Sequence, residues 1–298
     1  MPALNQQNLR GEMRLDEPLS RHTTWRVGGP ARCFYRPADR QDLLRFLGRL
    51  DPDEPLFWLG LGSNLLVRDG GFNGTVIAIQ GCLGVSDWRG DNRLYAEAGV
   101  SCAKIARTAA RAGLCGVEFL AGIPGTLGGA LAMNAGAFGG ETWERVIRVE
   151  TVDRYGAVHS RVPGDFDIGY RHLAGPAGEW FLSADLALES GDAAAAQLQI
   201  KRLLERRAET QPTRWPSCGS VFRNPPGDHA ARLIEAAGLK GRRMGGAQVS
   251  EKHANFIINA GNATAADIEA LIEAVQREVE EHSGVVLVME VRRIGDRS

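Results

Sequence analysis

Apolar residues recur along this chain in two rhythms, one helical and one extended. Leu43, Leu44, Leu47 and Leu50 fall at helical spacing and predict a helix over residues 38–50. Short apolar runs at 56–59, 64–67 and 75–79, separated by glycine-bearing turns, predict strands, and residues 23–37 read as strand, turn and strand about Gly28-Gly29-Pro30. Residues 1–80 therefore read as a small α+β unit. A strand is predicted at 94–98, after which Ser101 can cap a helix over 102–112 that ends at Gly113. Further strands are predicted at 146–153, 157–162 and 180–188. An alanine- and leucine-rich helix over 193–209 is broken by Gln211-Pro212-Thr213-Arg214-Trp215-Pro216, the best linker candidate. Beyond it come a short helix over 229–237 ending at Gly238 and a strand at 255–259. Thr264 and Asp267 stand at capping-box spacing before a stripe of Ile268, Leu271, Ile272, Val275 and Val279. Residues 285–291 predict a last strand in which Glu290 shares a face with Val286 and Val288.

Composition narrows the class. The 298 residues are about two typical domain lengths. With 35 Lys and Arg against 36 Asp and Glu, the net charge of -1 gives no basic field and disfavours a nucleic-acid partner. The 44% hydrophobic and 24% charged content is that of a folded soluble chain. Cys33, Cys82, Cys102, Cys115 and Cys218 form no C-x-x-C pair and are too sparse for a zinc or disulfide framework, so no metal is expected and a reducing cytoplasm fits best. No targeting peptide is expected from the first residues. Glycine is the outlier: 37 of 298, well above the average of ~7%, which points to backbone that something must approach closely.

That backbone is concentrated in two places. Residues 119–140 carry no charge and hold G-x-x-x-G spacings at Gly125/Gly129 and Gly136/Gly140, as membrane helices can. Yet Gly122, Gly125, Gly128, Gly129, Gly136, Gly139, Gly140 and Pro124 make a poor helix, so a buried surface facing a large ligand is expected rather than a membrane span. Gly60-Leu-Gly62-Ser63-Asn64 follows a predicted strand and begins like a dinucleotide fingerprint. Its sixth position is Leu65 and the following Leu65-Leu66-Val67 is β-like, so a tight turn accounts for it on its own. Ser63 and Asn64 add donors suited to a pyrophosphate.

These two segments occur with His22-Thr-Thr-Trp-Arg-Val-Gly-Gly29, Ile168-Gly-Tyr-Arg171, Ser217-Cys-Gly-Ser-Val-Phe-Arg-Asn-Pro225 and Lys252-His-Ala-Asn-Phe256. In that order, over about residues 19–295, the set resembles the UDP-N-acetylenolpyruvoylglucosamine reductase (MurB) family. No tyrosine-bearing insertion lies between Arg171 and Ser217, so the shorter type is indicated. The resemblance implies an α+β chain of three domains. Two form a vanillyl-alcohol-oxidase-like FAD-binding unit (1–80 and 81–210), one is a smaller α+β substrate-binding domain (211–284), and a C-terminal strand (285–298) returns to the FAD-binding unit. It implies NADPH-dependent reduction of UDP-N-acetylglucosamine enolpyruvate to UDP-N-acetylmuramate through bound FAD, in peptidoglycan precursor synthesis. Gly60, Gly62, Ser63, Asn64 and Leu65 would face the pyrophosphate. Gly122, Ile123, Pro124, Gly125, Gly128, Gly129, Asn134, Ala135 and Gly136 would line the flavin, with no tethering histidine or reactive cysteine among them. Tyr170, Asn224, Lys240 and His253 would meet the nucleotide sugar.

By the same resemblance Ser220 is the proton donor, Arg171 the cation beside the enolpyruvyl group and Glu290 the late glutamate. Hydride addition at C3 leaves an enolate-like anion, which a guanidinium stabilises and a serine hydroxyl can protonate at C2. An ionised Glu290 would repel that anion, so it is expected to work protonated or through a hydrogen bond that fixes the substrate. Two other readings stand beside it: a different FAD-dependent oxidoreductase on this scaffold, which would use the two glycine segments but not the Ser220 and Lys252–Phe256 motifs, and a non-catalytic nucleotide-sugar binder.

Overall fold

Antiparallel pairing organises the first of two units in the computed structural model, which describes residues 8–90 and 92–297. Most of the first residues, on which the targeting expectation rests, lie outside that range, as does the last residue of the C-terminal segment. The first unit comprises the chain up to Arg14, Phe34–Leu61 and Gly74–Glu205; the second comprises Leu15–Cys33, Gly62–Asn73 and the chain from Arg206 onward.

In the first unit a five-stranded sheet runs in the order Val158–Arg161, Val146–Asp153, Glu179–Ala187, Arg93–Glu97, Ser86–Trp88, antiparallel throughout. Leu94, Ala96, Val149, Ala184 and Leu186 on its inner face pack with helix α2 and the charge-free segment. A second sheet has the order Glu12–Pro18, Pro30–Arg36, Phe72–Ala78, Leu56–Leu59, in which Leu56–Leu59 runs parallel to Thr75–Ala78. Helix α1 (Arg40–Leu47) buries Leu43, Phe46 and Leu47 beside Tyr35 and Ile77. Helix α2 (Cys102–Arg111) begins as the sequence predicts, the Ser101 side chain accepting from Lys104 N, and Gly113 follows it at φ +72°. Helix α3 (Leu127–Ala132) is a short turn-and-a-half inside the charge-free segment, capped by Thr126. Helix α4 (Ala193–Thr210) carries the chain out of the first unit. Among the described residues no helix is long and apolar enough to cross a membrane.

The second unit packs α5 (Ala230–Ala236) and α6 (Ala265–Ser283) with a three-stranded sheet of Arg243–Met244, Ala247–Val249 and Ile257–Asn259. The capping box at Thr264 and Asp267 forms, Gly284 closes α6 in the left-handed conformation, and the predicted stripe is fully buried. Trp25, also fully buried, donates Nε1–H to Ile257 O at 2.7 Å, and Asn259 Nδ2 returns a bond to Trp25 O.

Two expectations are corrected. Residues 23–29 form no strand: Thr23 Oγ1 donates to Val27 O, Arg26 sits at φ +59°, and the loop is pulled inward by Trp25. Nor are residues 285–291 a strand. Their pairing partner is only the short run about Phe222, which ends at Pro225 and Pro226, where the N–H donors stop. One bridge, Phe222 opposite Met289, forms, and the regular strand comes later, at Arg292–Ile294, parallel to Leu65–Val67. The alternation itself holds: Leu287 and Val291 are buried, while Val286 and Val288, 61% and 57% exposed, share the outer face that Glu290 was expected to occupy.

Candidate active site

The strand Leu56–Leu59 ends at Gly60, and the turn that follows belongs to the second unit from Gly62 on. Gly62 is at φ +62°, and a Cβ there would lie 2.2 Å from His22 O, so only glycine fits. Thr24 N donates to Gly62 O at 3.2 Å, tying the His22–Gly29 motif to the turn. Cys218 sits at its centre: Leu65 N–H donates to Sγ at 3.3 Å, and Sγ lies 3.4 Å from Leu65 O and 3.7 Å from Gly62 O. Burial pushes this thiol up to about 12, so it is a neutral brace and no nucleophile. Asn64 Nδ2 donates to Glu290 O at 3.2 Å, and Arg292 N donates to Asn64 O. Of the donors expected at this turn, the Asn64 amide and Leu65 N–H thus face the protein, while Ser63 is half-buried.

Ser220 and Glu290 are brought onto adjoining antiparallel segments. Glu290 N donates to Val221 O at 2.8 Å, Arg223 N donates to Val288 O, and Asn255 clasps Phe222 from the other side through its N–H and carbonyl. Both residues are half-buried, and among the described residues the Ser220 hydroxyl has no hydrogen-bond partner. Three of the four nucleotide-sugar candidates also lie in this unit. Asn224 is exposed and its Oδ1 accepts from Ala230 N at the start of α5. Lys240 pairs with Glu235 at 2.8 Å. His253 stands edge-on to Phe256, with a buried Nδ1 that finds no partner among the described residues. Burial, and secondarily the Lys240 ammonium, hold its imidazole below the usual value, hence neutral near pH 7.

The first unit holds the remaining candidates. Gly122 ends a 3-10 turn over Glu118–Gly122, Ile123 follows it, and exposed Pro124 leads to Gly125, whose carbonyl accepts from Cys102 N. On α3 the paired glycines differ. A Cβ at Gly128 would come within 2.9 Å of the Ala98 Cβ, whereas at exposed Gly129 it would meet only Thr126 Oγ1, at 3.7 Å. Gly128 is therefore glycine for packing, whereas Gly129, whose N–H donates to the capping Thr126 Oγ1, leaves open space outward. Ala135 is buried, its carbonyl accepting from Thr142 N and Oγ1. Asn134 and Gly136 receive Arg171: Nη1 donates to Asn134 O at 3.4 Å and Nη2 to Gly136 O at 2.5 Å.

Arg171 stands in a feature the sequence reading missed, a hairpin of Asp167–Gly169 and His172–Ala174 in which Gly169 pairs with His172 and Tyr170-Arg171 is the whole connection. Arg171 is at φ +51°, and its guanidinium lies 5.2 Å from the ring of Tyr170, which is 50% exposed. The alternation of Asp167 to Ala174 is too weak to announce a hairpin, and the turn has no Asn-Gly signature. Among the described residues no cluster of His, Cys, Asp and Glu could hold a metal.

A family profile described as UDP-N-acetylenolpyruvoylglucosamine reductase, C-terminal domain, matches residues 211–294, and one described as FAD binding domain matches residues 31–160. A UDP-N-acetylenolpyruvoylglucosamine reductase of Alkalilimnicola ehrlichii is 65% identical over 286 residues, 96% of each chain. One of Methylococcus capsulatus is 61% identical over 96% of this chain and 94% of its own. The crystal structure of UDP-N-acetylenolpyruvylglucosamine reductase (MurB) from Thermus caldophilus matches with a TM-score of 0.83 at 36% identity, covering 96% of this chain and 99% of that one.

Proposed function

The chain belongs to the UDP-N-acetylenolpyruvoylglucosamine reductase family and is an FAD-dependent oxidoreductase, and we propose that it uses NADPH to reduce the enolpyruvyl ether of UDP-N-acetylglucosamine to UDP-N-acetylmuramate. The observation that carries the reading is the cluster in the second unit: Cys218 and Asn64 tie the Gly62–Leu65 turn to the segments bearing Ser220 and Glu290. The segments to which we assign the cofactor and the proton donor, far apart in sequence, are thus joined by hydrogen bonds.

The residues fit FAD at α3, where exposed Gly129 leaves open space in front of the helix that a side chain would fill. Gly60, Gly62, Ser63, Asn64 and Leu65 would form the turn that meets the pyrophosphate, Asn64 and Leu65 shaping it through bonds to Glu290 O and Cys218 Sγ. Gly122, Ile123, Pro124, Gly125, Gly128, Gly129, Asn134, Ala135 and Gly136 would line the flavin. Bound FAD, reduced by NADPH, would supply the hydride added at C3 of the enolpyruvyl group. Arg171 meets the substrate carboxylate with its guanidinium fork and holds positive charge where the enolate develops. Ser220 delivers its proton to C2, its hydroxyl having no competing acceptor among the described residues. Glu290 fixes the substrate by a hydrogen bond or shares the proton. Tyr170, Asn224, Lys240 and His253 contact the nucleotide sugar, His253 as a neutral donor or acceptor.

Anaerobic mixing with NADPH, followed by the enolpyruvyl nucleotide sugar, tests this directly. The flavin band is expected to bleach and then return. Bleaching without return would leave an oxidoreductase and remove this substrate.

A further inference from the structure

Asn134 is 1% exposed, at φ +44°, and its side chain is used up inside the first unit. Both N–H groups of Nδ2 donate, one to Glu141 Oε2 at 2.8 Å and one to Gly169 O at 3.1 Å, while Oδ1 accepts from Trp143 N at 3.1 Å. A primary amide has two N–H donors, so none remains for a ligand. One of these bonds ends on Gly169, the last strand residue before the Tyr170-Arg171 connection, and the Asn134 carbonyl itself accepts from the Arg171 guanidinium. The same residue therefore holds the turn end of the hairpin and the head of the arginine it presents. That arginine sits in the left-handed region, which L side chains other than Asn and Asp adopt unwillingly, so its conformation needs support from outside the hairpin.

We infer that Asn134 is a positioning residue for Arg171: its amide clamps the Asp167–Ala174 hairpin to the Asn134–Trp143 segment and so fixes where the guanidinium points. This rests on Arg171 meeting the enolpyruvyl carboxylate, as proposed above. It gives Asn134 a task other than contact with the cofactor through its side-chain donors.

The test compares Asn134→Gly, which keeps the left-handed backbone easy and removes the amide, with Asn134→Asp, which keeps the shape and turns a donor into an acceptor facing Glu141 and Gly169. On the FAD-loaded proteins, amide hydrogen exchange of residues 167–174 is expected to speed up at least ~10-fold while Val146–Asp153 stays protected, with FAD occupancy close to wild type. Flavin reoxidation by substrate is expected to slow on the order of 10²-fold, since small misplacement of a catalytic group is that costly. Asn134→Gly added to Arg171→Ala should slow it no further, because the two act through one group. Lost FAD with an unchanged hairpin, or additive effects of the two substitutions, would overturn the inference. The exchange measurement needs no substrate. A wild-type protein that NADPH bleaches and the enolpyruvyl sugar fails to restore would refute the proposed reaction, yet a loosened hairpin in Asn134→Gly would still uphold the placement of Arg171. Should Asn134→Asp fail to fold, Asn134→Gly carries the test alone.

Discussion

The Ser220 hydroxyl is half-buried and has no acceptor among the described residues, while the next residue, Val221, is held through both its N–H and its carbonyl. In the proposed reaction the serine proton is needed only after hydride has arrived, so Ser220→Ala should leave flavin reduction by NADPH near wild type and slow reoxidation by substrate roughly 10²-fold or more. Stopped-flow absorbance separates the two half-reactions, and equal slowing of both would assign Ser220 to binding or folding. Arg171→Lys keeps the charge and loses the fork; it also loses the two-carbonyl seat on Asn134 and Gly136 that a single ammonium cannot reproduce. Turnover should fall at least ~10²-fold with FAD occupancy unchanged, because the lost interaction strengthens as charge develops. A lysine variant with normal turnover would remove the guanidinium from the proposed chemistry. At this scale the sequence motifs named candidate residues well and their neighbours poorly. Nothing near position 218 reveals that a thiol would brace a turn more than 150 positions away, since that contact exists only in the fold.

Elements show where legibility ends and why. Helices announced by caps and stripes formed as read, Ser101 and Thr264 at their starts and Gly113 at the end of α2, because each signal is local chemistry within one turn. The hairpin carrying Arg171 and the strand Glu12–Pro18 were invisible, the first for its brevity and the second for its charged residues at edge positions. Residues 285–291 show the converse failure, a good alternating pattern whose partner strand is cut short by prolines. Helix α3 offers a test that sequence could not have framed, since Gly128 and Gly129 look alike until the Ala98 contact is seen. Gly129→Val should reduce FAD occupancy several-fold and leave the melting temperature of the apoprotein within ~2 °C, the branched Cβ occupying space in front of the helix. Gly128→Val should do the reverse first, lowering stability by about 1–3 kcal/mol through overpacking against Ala98. Two variants with the same profile in thermal melts and flavin absorbance would show that the glycines are equivalent and that α3 does not present backbone to the cofactor.

On the scale of the whole molecule, the second unit is assembled from three stretches of chain that a linear reading cannot join, because the bonds between them span up to 234 positions. Asp69 accepts from Ala265 N and Ala266 N at the start of α6, Leu65–Val67 lies parallel to Arg292–Ile294, and Trp25 is locked to Ile257 and Asn259. Glu269 on α6 is the electrostatic centre of that assembly. Its nearly buried carboxylate accepts from Arg68 at 2.9 and 3.1 Å, from Arg293 at 2.8 Å and from Arg297 at 3.0 Å, joining the segment after the Gly62–Leu65 turn to the last strand. These bonds, Arg68 first, outweigh burial and bring its carboxyl down to about 2. A carboxylate depressed on folding stabilises the native state fully above its unfolded pKa, and that contribution is lost as pH falls from about 4.5 through about 2. Glu269→Gln, which is neutral at every pH, should therefore be less stable than wild type at pH 7 by about 2 kcal/mol, three arginines being left without their shared partner. The gap should narrow as pH falls below about 4.5 and close only as it passes through about 2, where the wild-type carboxyl also takes up its proton. Urea melts at pH 7, 4 and 3 read this out, and the FAD absorbance followed in the same samples reports on the Gly62–Leu65 turn, which runs directly into Arg68. A stability gap that stayed constant across that range would mean that Glu269 holds the unit by shape, and that its charge contributes nothing to the turn the cofactor is proposed to occupy.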